Sequence, residues 1–203
     1  MVKKWILVPF GGVVVAVFAA FVLWPRAGGD SFAVPDRVCS DAFAGDEIMP
    51  LLRDGRGKFE SNIIRGFPGS RENSSSGPVC ELGVKGRSVA FRVEYPSYRE
   101  DLQELKKERA YVAQLGSAYG GYNEISGTMI LEIPCPTREN SENSLFLNVG
   151  ASMAREGERG GRAKLADLTG YAARTLARKV YKCEGADELP EGPVVIMKGE
   201  GRR

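Results

Sequence analysis

The sequence predicts an α+β domain, an antiparallel sheet of about five strands with helices packed on it, preceded by one transmembrane helix. Three observations lead to this fold class: an uncharged apolar run near the N-terminus, segments that alternate with a period of two, and segments with helical spacing. The links between the predicted strands are short and no regular βαβ alternation occurs, which favours an antiparallel sheet.

The N-terminal apolar run, residues 5–24, is long enough to cross a bilayer as a helix. Lys3 and Lys4 precede it, and positive charge is retained on the cytoplasmic side of a membrane helix. We therefore expect a cytoplasmic stub (residues 1–4), a transmembrane helix (5–24) and an extracellular C-terminal domain of a single-pass cell-membrane protein. A cleaved signal peptide is the alternative, although the apolar core of such peptides spans only about 7–15 residues.

Beyond this run the pattern predicts a linker (25–38), an exported α+β domain (39–185) and an irregular tail (186–203), in which Val194–Met197 is an alternative edge strand. Period-two alternation is clearest at Val89, Phe91 and Val93, and helical spacing is clearest in the apolar stripe from Leu165 to Val180. The predicted order is helix 46–54, strands 58–65, 79–84 and 88–95, helix 98–115, loop 117–127, strands 128–133 and 144–152, and helix 162–183.

Four cysteines, Cys39, Cys80, Cys135 and Cys183, all follow the apolar run. An even number in an exported domain favours disulfide bonds, and none of the spacings is the C-x-x-C of a redox or zinc site. The predicted topology brings the start of the first helix near the start of the second strand, and the end of the last helix near the end of a late strand. It therefore favours Cys39–Cys80 and Cys135–Cys183 among three possible connectivities.

Composition argues against several classes of function. The chain has 28 basic and 26 acidic residues, and three of the basic ones flank the apolar run, so the exported part is near neutral and nucleic acid is not an expected partner. The absence of histidine from the sequence excludes the usual Ser-His-Asp and Cys-His catalytic arrangements. No pattern pairs two carboxylates in an apolar setting, so we expect no catalytic residues, no metal site and no cofactor.

Two groups of residues are candidates for a binding surface. Tyr119 and Tyr122 flank two glycines in a predicted mobile loop that would contact a ligand or glycan, with a plain loop containing one buried tyrosine as the alternative. Arg174, Arg178 and Lys182 recur every four residues and form a basic stripe on the last helix. This stripe would face anionic lipid or wall polymer, or simply be a solvated helix face.

Cysteine placement and element order also resemble a known group of proteins. A cysteine precedes the short helix at Ile48–Leu52, a second (Cys80) opens a hairpin, and the terminal helix ends at Cys183. Over residues 38–183 this pattern resembles small membrane-anchored exported proteins of actinobacteria, and is loosely similar to DUF3558-type lipoproteins. That resemblance implies a PsbP/Mog1-like fold and an accessory role in the envelope, with no catalytic residues to transfer; the lipid-modified cysteine of such lipoproteins has no counterpart here.

The sequence therefore predicts a single-pass, membrane-anchored extracytoplasmic protein that binds an envelope protein or an anionic polymer and is not an enzyme. Two alternatives remain open at this point. One is a cell-envelope hydrolase with unrecognised carboxylates, which a deep pocket holding two close carboxylates of raised pKa would favour. The other is the ectodomain of a membrane sensor complex.

Overall fold

An eight-stranded antiparallel sheet forms most of the computed structural model, which describes residues 32–69, 77–96, 99–136, 146–153 and 161–199. Only the backbone of Phe146, Leu147 and Met153 is described. The strands are β1 (Arg37–Val38), β2 (Phe43–Ala44), β3 (Arg56–Ile64), β4 (Val79–Lys85), β5 (Arg87–Glu94), β6 (Val112–Leu115), β7 (Ala118–Asn123), β8 (Thr128–Pro134), β9 (Phe146–Met153) and β10 (Val195–Lys198). The helices are α1 (Gly45–Leu52), α2 (Leu102–Glu108) and α3 (Gly161–Thr175), and α3 continues as a wider π turn (Leu176–Val180).

The strands of the main sheet follow the order β10-β6-β7-β8-β9-β5-β4-β3, and β1 pairs with β2 in a separate two-stranded sheet. The predicted fold class, with about five strands and a transmembrane helix, is therefore wrong. In the main sheet the strands missing from the prediction are β6 and β7, and β10 is present there only as the alternative to an irregular tail. In the described part of the chain no helix has the length and apolarity needed to cross a membrane, and the predicted span 5–24 lies outside the described residues.

The helix predicted over 98–115 ends at Glu108, and the last four residues of the predicted range form strand β6. Val112 and Ala113 are neighbours on this strand and both are fully buried, so both faces of β6 are covered. A strand buried on both faces carries no polar–apolar alternation, and a short apolar run of that kind is indistinguishable from helix in sequence.

The loop predicted around Tyr119 and Tyr122 is also wrong, since both lie on strand β7 between β6 and β8. Gly120 is the reason for the close fit there: a Cβ at this position would lie 1.9 Å from the carbonyl oxygen of Ile130 on β8. The glycines that suggested a turn serve instead to let two strand backbones approach each other.

The core lies on one face of the sheet, under α1 and α3. Alternate residues of the central strands, among them Phe91, Leu131 and Val149, are fully buried on this face. Helix α1 packs on β5, and the apolar stripe of α3 packs on β8 and β9. The Thr169 hydroxyl donates to the carbonyl of Leu165 one turn earlier, which satisfies this buried polar group. The start of this helix and its inward face agree with the sequence pattern, but the helix ends at Val180 and not at residue 183 as predicted.

Both predicted disulfides are present, Cys39–Cys80 and Cys135–Cys183. The first joins the segment before α1 to β4. The second joins Cys135, directly after β8, to Cys183, three residues beyond the π turn. Of the predicted linker, 25–38, the last residues form β1, and the compact unit containing the sheet begins at Phe32. The tail predicted to be irregular contributes β10, the edge strand that the sequence left as an alternative.

Candidate functional site

A groove of about 870 Å³ lies between α1 and α3 and is bounded on a third side by residues 191–193. Its floor is apolar and consists of Pro50 and Leu51 from α1 and Leu168 and Tyr171 from α3. On α1, Ile48 and Leu52 are buried in the core, and Leu51 is half-buried and lines the groove. Ligand sites in proteins are typically concave, mostly apolar and about 300–1,000 Å³ in volume, and this groove falls within that range.

Tyr171 sets the separation between the two helices. Its hydroxyl accepts a hydrogen bond of 3.0 Å from the backbone N–H of Ala44, directly before α1, and its ring packs on Phe43 at 5.9 Å between centroids. On the third side Asp167 accepts the backbone N–H of Val194 at 2.9 Å, which fixes the C-terminal segment against α3. The walls of the groove are thus held by specific contacts and do not depend on a bound molecule.

Arg174 and Arg178, two residues of the predicted basic stripe, line this groove. Arg174 donates through Nη1 to the carbonyls of Pro190 (3.3 Å) and Gly192 (3.0 Å). Burial lowers the pKa of Arg174, although Glu191 nearby opposes the shift. Instead of forming a solvated face, this guanidinium is buried against the backbone of the C-terminal segment.

Arg178 is held in the same way. Its Nε donates to the carbonyl of Ala186 at 2.9 Å, and its Nη2 donates to the carbonyls of Asp187 (3.3 Å) and Leu189. The carboxylate of Glu191 contacts both arginines, by a hydrogen bond from Nη1 of Arg178 and by an ion pair of 3.6 Å with Nε of Arg174. The hydrogen bond from Arg178 lowers the pKa of Glu191.

Lys182, the third member of the predicted stripe, is separated from the other two. The π turn ends at Val180, and Lys182 is exposed with a left-handed backbone (φ 49°) immediately before Cys183. The four-residue spacing in sequence therefore does not place all three cations on one helical face.

The two tyrosines predicted to contact a ligand are occupied by contacts within the protein. The Tyr119 hydroxyl donates to the carbonyl of Glu100 at 2.9 Å, and the guanidinium of Arg99 lies 3.5 Å from the ring centroid. Tyr122 is only 6% exposed and belongs to the core, with the Arg162 guanidinium 4.9 Å from its ring centroid. Neither lines the α1–α3 groove.

Arg99 and Glu132 form a charged cluster with Tyr119 on the face of the sheet opposite to α1 and α3. Nη2 of Arg99 donates to the carbonyls of Ser117 (2.8 Å) and Glu132 (3.0 Å), and its Nε lies 3.9 Å from Oε2 of Glu132. Burial raises the pKa of Glu132 above its ordinary value of 4.5, and Arg99 opposes this shift. No sequence pattern indicates this cluster, because Arg99 and Glu132 lie 33 residues apart in the chain.

The raised pKa of Glu132 predicts a pH dependence of stability. In the pH range just above 4.5 the carboxyl group of Glu132 is protonated more fully in the folded protein than in the unfolded chain. The contribution of Glu132 to the free energy of unfolding therefore falls as the pH rises through that range. In Glu132→Gln this contribution is absent, so the slope of the free energy of unfolding against pH should differ from that of the wild type by the loss of this fall. Denaturant unfolding from about pH 4 to about pH 7 measures the slope. Glu60→Gln, an exposed carboxylate on β3, serves as the control, and an unchanged slope in Glu132→Gln would contradict the assignment.

A second depression, of about 630 Å³, lies on that opposite face of the sheet. Small side chains such as Ser88, Ala90 and Ser152 line it together with Glu81, and no lysine or arginine is among the described residues that line it. The described residues also contain no cluster of three or more histidine, cysteine or acidic side chains suited to a metal ion. The α1–α3 groove therefore combines an apolar floor with fixed charges in a way that this second depression does not.

Comparisons with known proteins return no relative: no protein-family model, no curated protein and no solved structure matches the chain. The resemblance to exported actinobacterial proteins accordingly stays a prediction from the sequence.

Proposed function

We propose that this chain is a membrane-attached, extracytoplasmic binding protein without enzymatic activity, and that it holds a small amphiphilic ligand in the α1–α3 groove. The observation that carries the proposal is the groove itself, with its apolar floor of Leu51, Leu168 and Tyr171 between helices fixed by specific hydrogen bonds. A preformed apolar concavity with a few placed polar groups is the usual form of a small-molecule site.

The extracytoplasmic location is supported by the cysteines and by the N-terminal sequence. Two disulfides and no free cysteine are found in the domain, and structural disulfides persist in oxidising compartments. The apolar segment 5–24, preceded by Lys3 and Lys4, supplies attachment to the cell membrane with the domain outside. The resemblance to exported envelope proteins is consistent with this placement.

The non-enzymatic character is supported by the position of the unusual carboxylates. Glu100 and Glu132 both have a pKa raised by burial. The charge of Glu100 raises the pKa of Glu132 further, and a hydrogen bond with the Glu100 backbone lowers it. Neither lines the groove, and Glu132 lies beside the guanidinium of Arg99. The hydrolase alternative required two such groups together in a pocket, so the described residues lend it no support.

Filling the groove tests the proposal directly. In Leu51→Trp the larger ring should occupy the floor, so binding of water-soluble hexanoate or hexanamide should fall at least about tenfold, because the apolar contacts that the wild type offers are blocked. The measurement is a titration of the full chain in detergent micelles, followed by ligand NMR, with protein-free micelles as the blank.

Ile125→Trp is the matched control, since Ile125 is 99% exposed at the β7–β8 turn and lies outside the groove. We expect this variant to bind as the wild type does. Absence of saturable binding of either compound to the wild type, or equal binding by Leu51→Trp, would overturn the proposed function.

A further inference from the structure

We infer that the ligand of the groove carries a carboxylate head group, and that the side chain of Glu191 occupies the position this head group takes between Arg174 and Arg178. The inference rests on the proposed function and specifies the ligand class for the same site. Three features of the groove support it: the two arginines are fixed by the backbone, Glu191 is exposed, and the apolar floor lies beside the arginines.

The arginines are held in place independently of Glu191. Five backbone carbonyls, of residues 186, 187, 189, 190 and 192, accept hydrogen bonds from the two guanidinium groups, whose side chains are only 14% and 22% exposed. None of these five hydrogen bonds involves the side chain of Glu191. The pair is therefore positioned in advance, so a ligand would not bear the entropic cost of ordering two long side chains.

Glu191 is held far more loosely. Its side chain is 76% exposed, and its hydrogen bonds and ion pairs in the described structure are those with Arg178 and Arg174. An exposed ion pair contributes little to stability, so another carboxylate can replace Glu191 at small cost. Glu191 accepts a hydrogen bond from Nη1 of Arg178 and forms an ion pair with Nε of Arg174, and a ligand carboxylate would contact these same two nitrogen atoms.

The position of this arginine pair favours an amphiphile over a simple anion. Both arginines line the same groove as Leu51, Leu168 and Tyr171, so a head group on the pair brings an attached acyl chain over the apolar floor. Four other charged residues line the groove: the exposed cations Lys164 and Lys179, the exposed Glu47, and Asp167, which accepts the N–H of Val194. The cations add to the attraction for a carboxylate, and the negative charges of Glu47 and Asp167 oppose it.

The experiment compares hexanoate with hexanamide, which has the same shape and no charge, on the full chain in detergent micelles. We expect hexanoate to bind about tenfold more tightly, because charged hydrogen bonds are stronger than neutral ones. In Glu191→Gln the affinity for hexanoate should rise about two- to fivefold, the range set by an exposed ion pair, and that for hexanamide should not change. Glu188→Gln, which removes a charge from the same segment but touches neither arginine in the described contacts, is the control.

The outcomes separate this inference from the proposed function. If hexanamide binds as tightly as hexanoate, the carboxylate inference is overturned while groove binding stands. If hexanoate binds preferentially but Glu191→Gln and Glu188→Gln have the same affinity for it, Glu191 does not occupy the head-group position. If neither compound binds the wild type, the proposed function fails and this inference fails with it. A lower unfolding midpoint in Glu191→Gln without any gain in affinity would assign Glu191 a purely structural role.

Discussion

Replacing Phe43 with alanine is expected to destabilise the domain by about 3–5 kcal/mol, the usual cost of removing a large aromatic side chain from a close-packed core. Phe43 is fully buried on β2. Its ring contacts those of Phe91 on β5 (4.5 Å between centroids), Phe67 (5.8 Å) and Tyr171 on α3 (5.9 Å). It therefore joins the small sheet, the main sheet and the helix that forms one wall of the groove.

Equilibrium denaturant unfolding measures this loss, with Phe59→Ala as the matched control. Phe59 lies on edge strand β3 and is only partly buried against the core, so the same truncation there should cost clearly less. Equal losses for the two variants would show that the ring cluster around Phe43 does not anchor the domain. Because Tyr171 would lose its ring partner, Phe43→Ala should also weaken hexanoate binding in the groove.

Removing the Cys135–Cys183 disulfide by a double change to alanine should cost about 4 kcal/mol, the loop-closure entropy expected for a bridge between residues 48 apart. This bridge fixes the end of the π turn to the end of β8, and the N–H of Cys183 also donates to the carbonyl of Ala177 at 2.9 Å. The segment that follows Cys183 supplies the carbonyls that hold Arg174 and Arg178, so the loss should extend to the groove.

Unfolding midpoints of the wild type, the double variant and the reduced wild type provide the measurement. Reduction opens both bridges and should destabilise the protein more than the double variant does, since the Cys39–Cys80 bridge closes a segment of similar length, with residues 41 apart. A double variant as stable as the oxidised wild type would contradict the entropic account.

Much of the fold could be predicted because the pattern of buried and exposed positions in several elements is visible in their residue types. Val89, Phe91 and Val93 alternate with polar or small residues, which identified β5 as a strand with one buried face. Helix α3 showed its buried stripe in the same direct way, and the correct disulfide pairing followed from the order of the elements. In these elements one face is covered and the other is not, so the periodicity of burial appears in the residue types.

Strand β6 could not be predicted, and β10 only as an alternative, because the segments that cover them or pair with them lie in distant parts of the chain. Val112 and Ala113 on β6 are buried on both faces, and β10 becomes a strand by pairing with β6, more than 80 residues earlier. The candidate site shows the same limit. The sequence singled out Arg174 and Arg178, but not the carbonyls of the tail that immobilise them or the apolar floor beside them.

The strand order also bears on how the chain reaches its native state. Two meanders, β3-β4-β5 and β6-β7-β8-β9, are each built from successive antiparallel neighbours, and they meet only where β5 pairs with β9, for example Phe91 with Ala151. Local hairpins form quickly, whereas a ladder between distant segments must first overcome the entropy of closing a long loop. Pairing of β5 with β9 is therefore the step at which topology limits the folding rate. Strand β6 gains its outer neighbour only when β10, near the end of the chain, pairs with it.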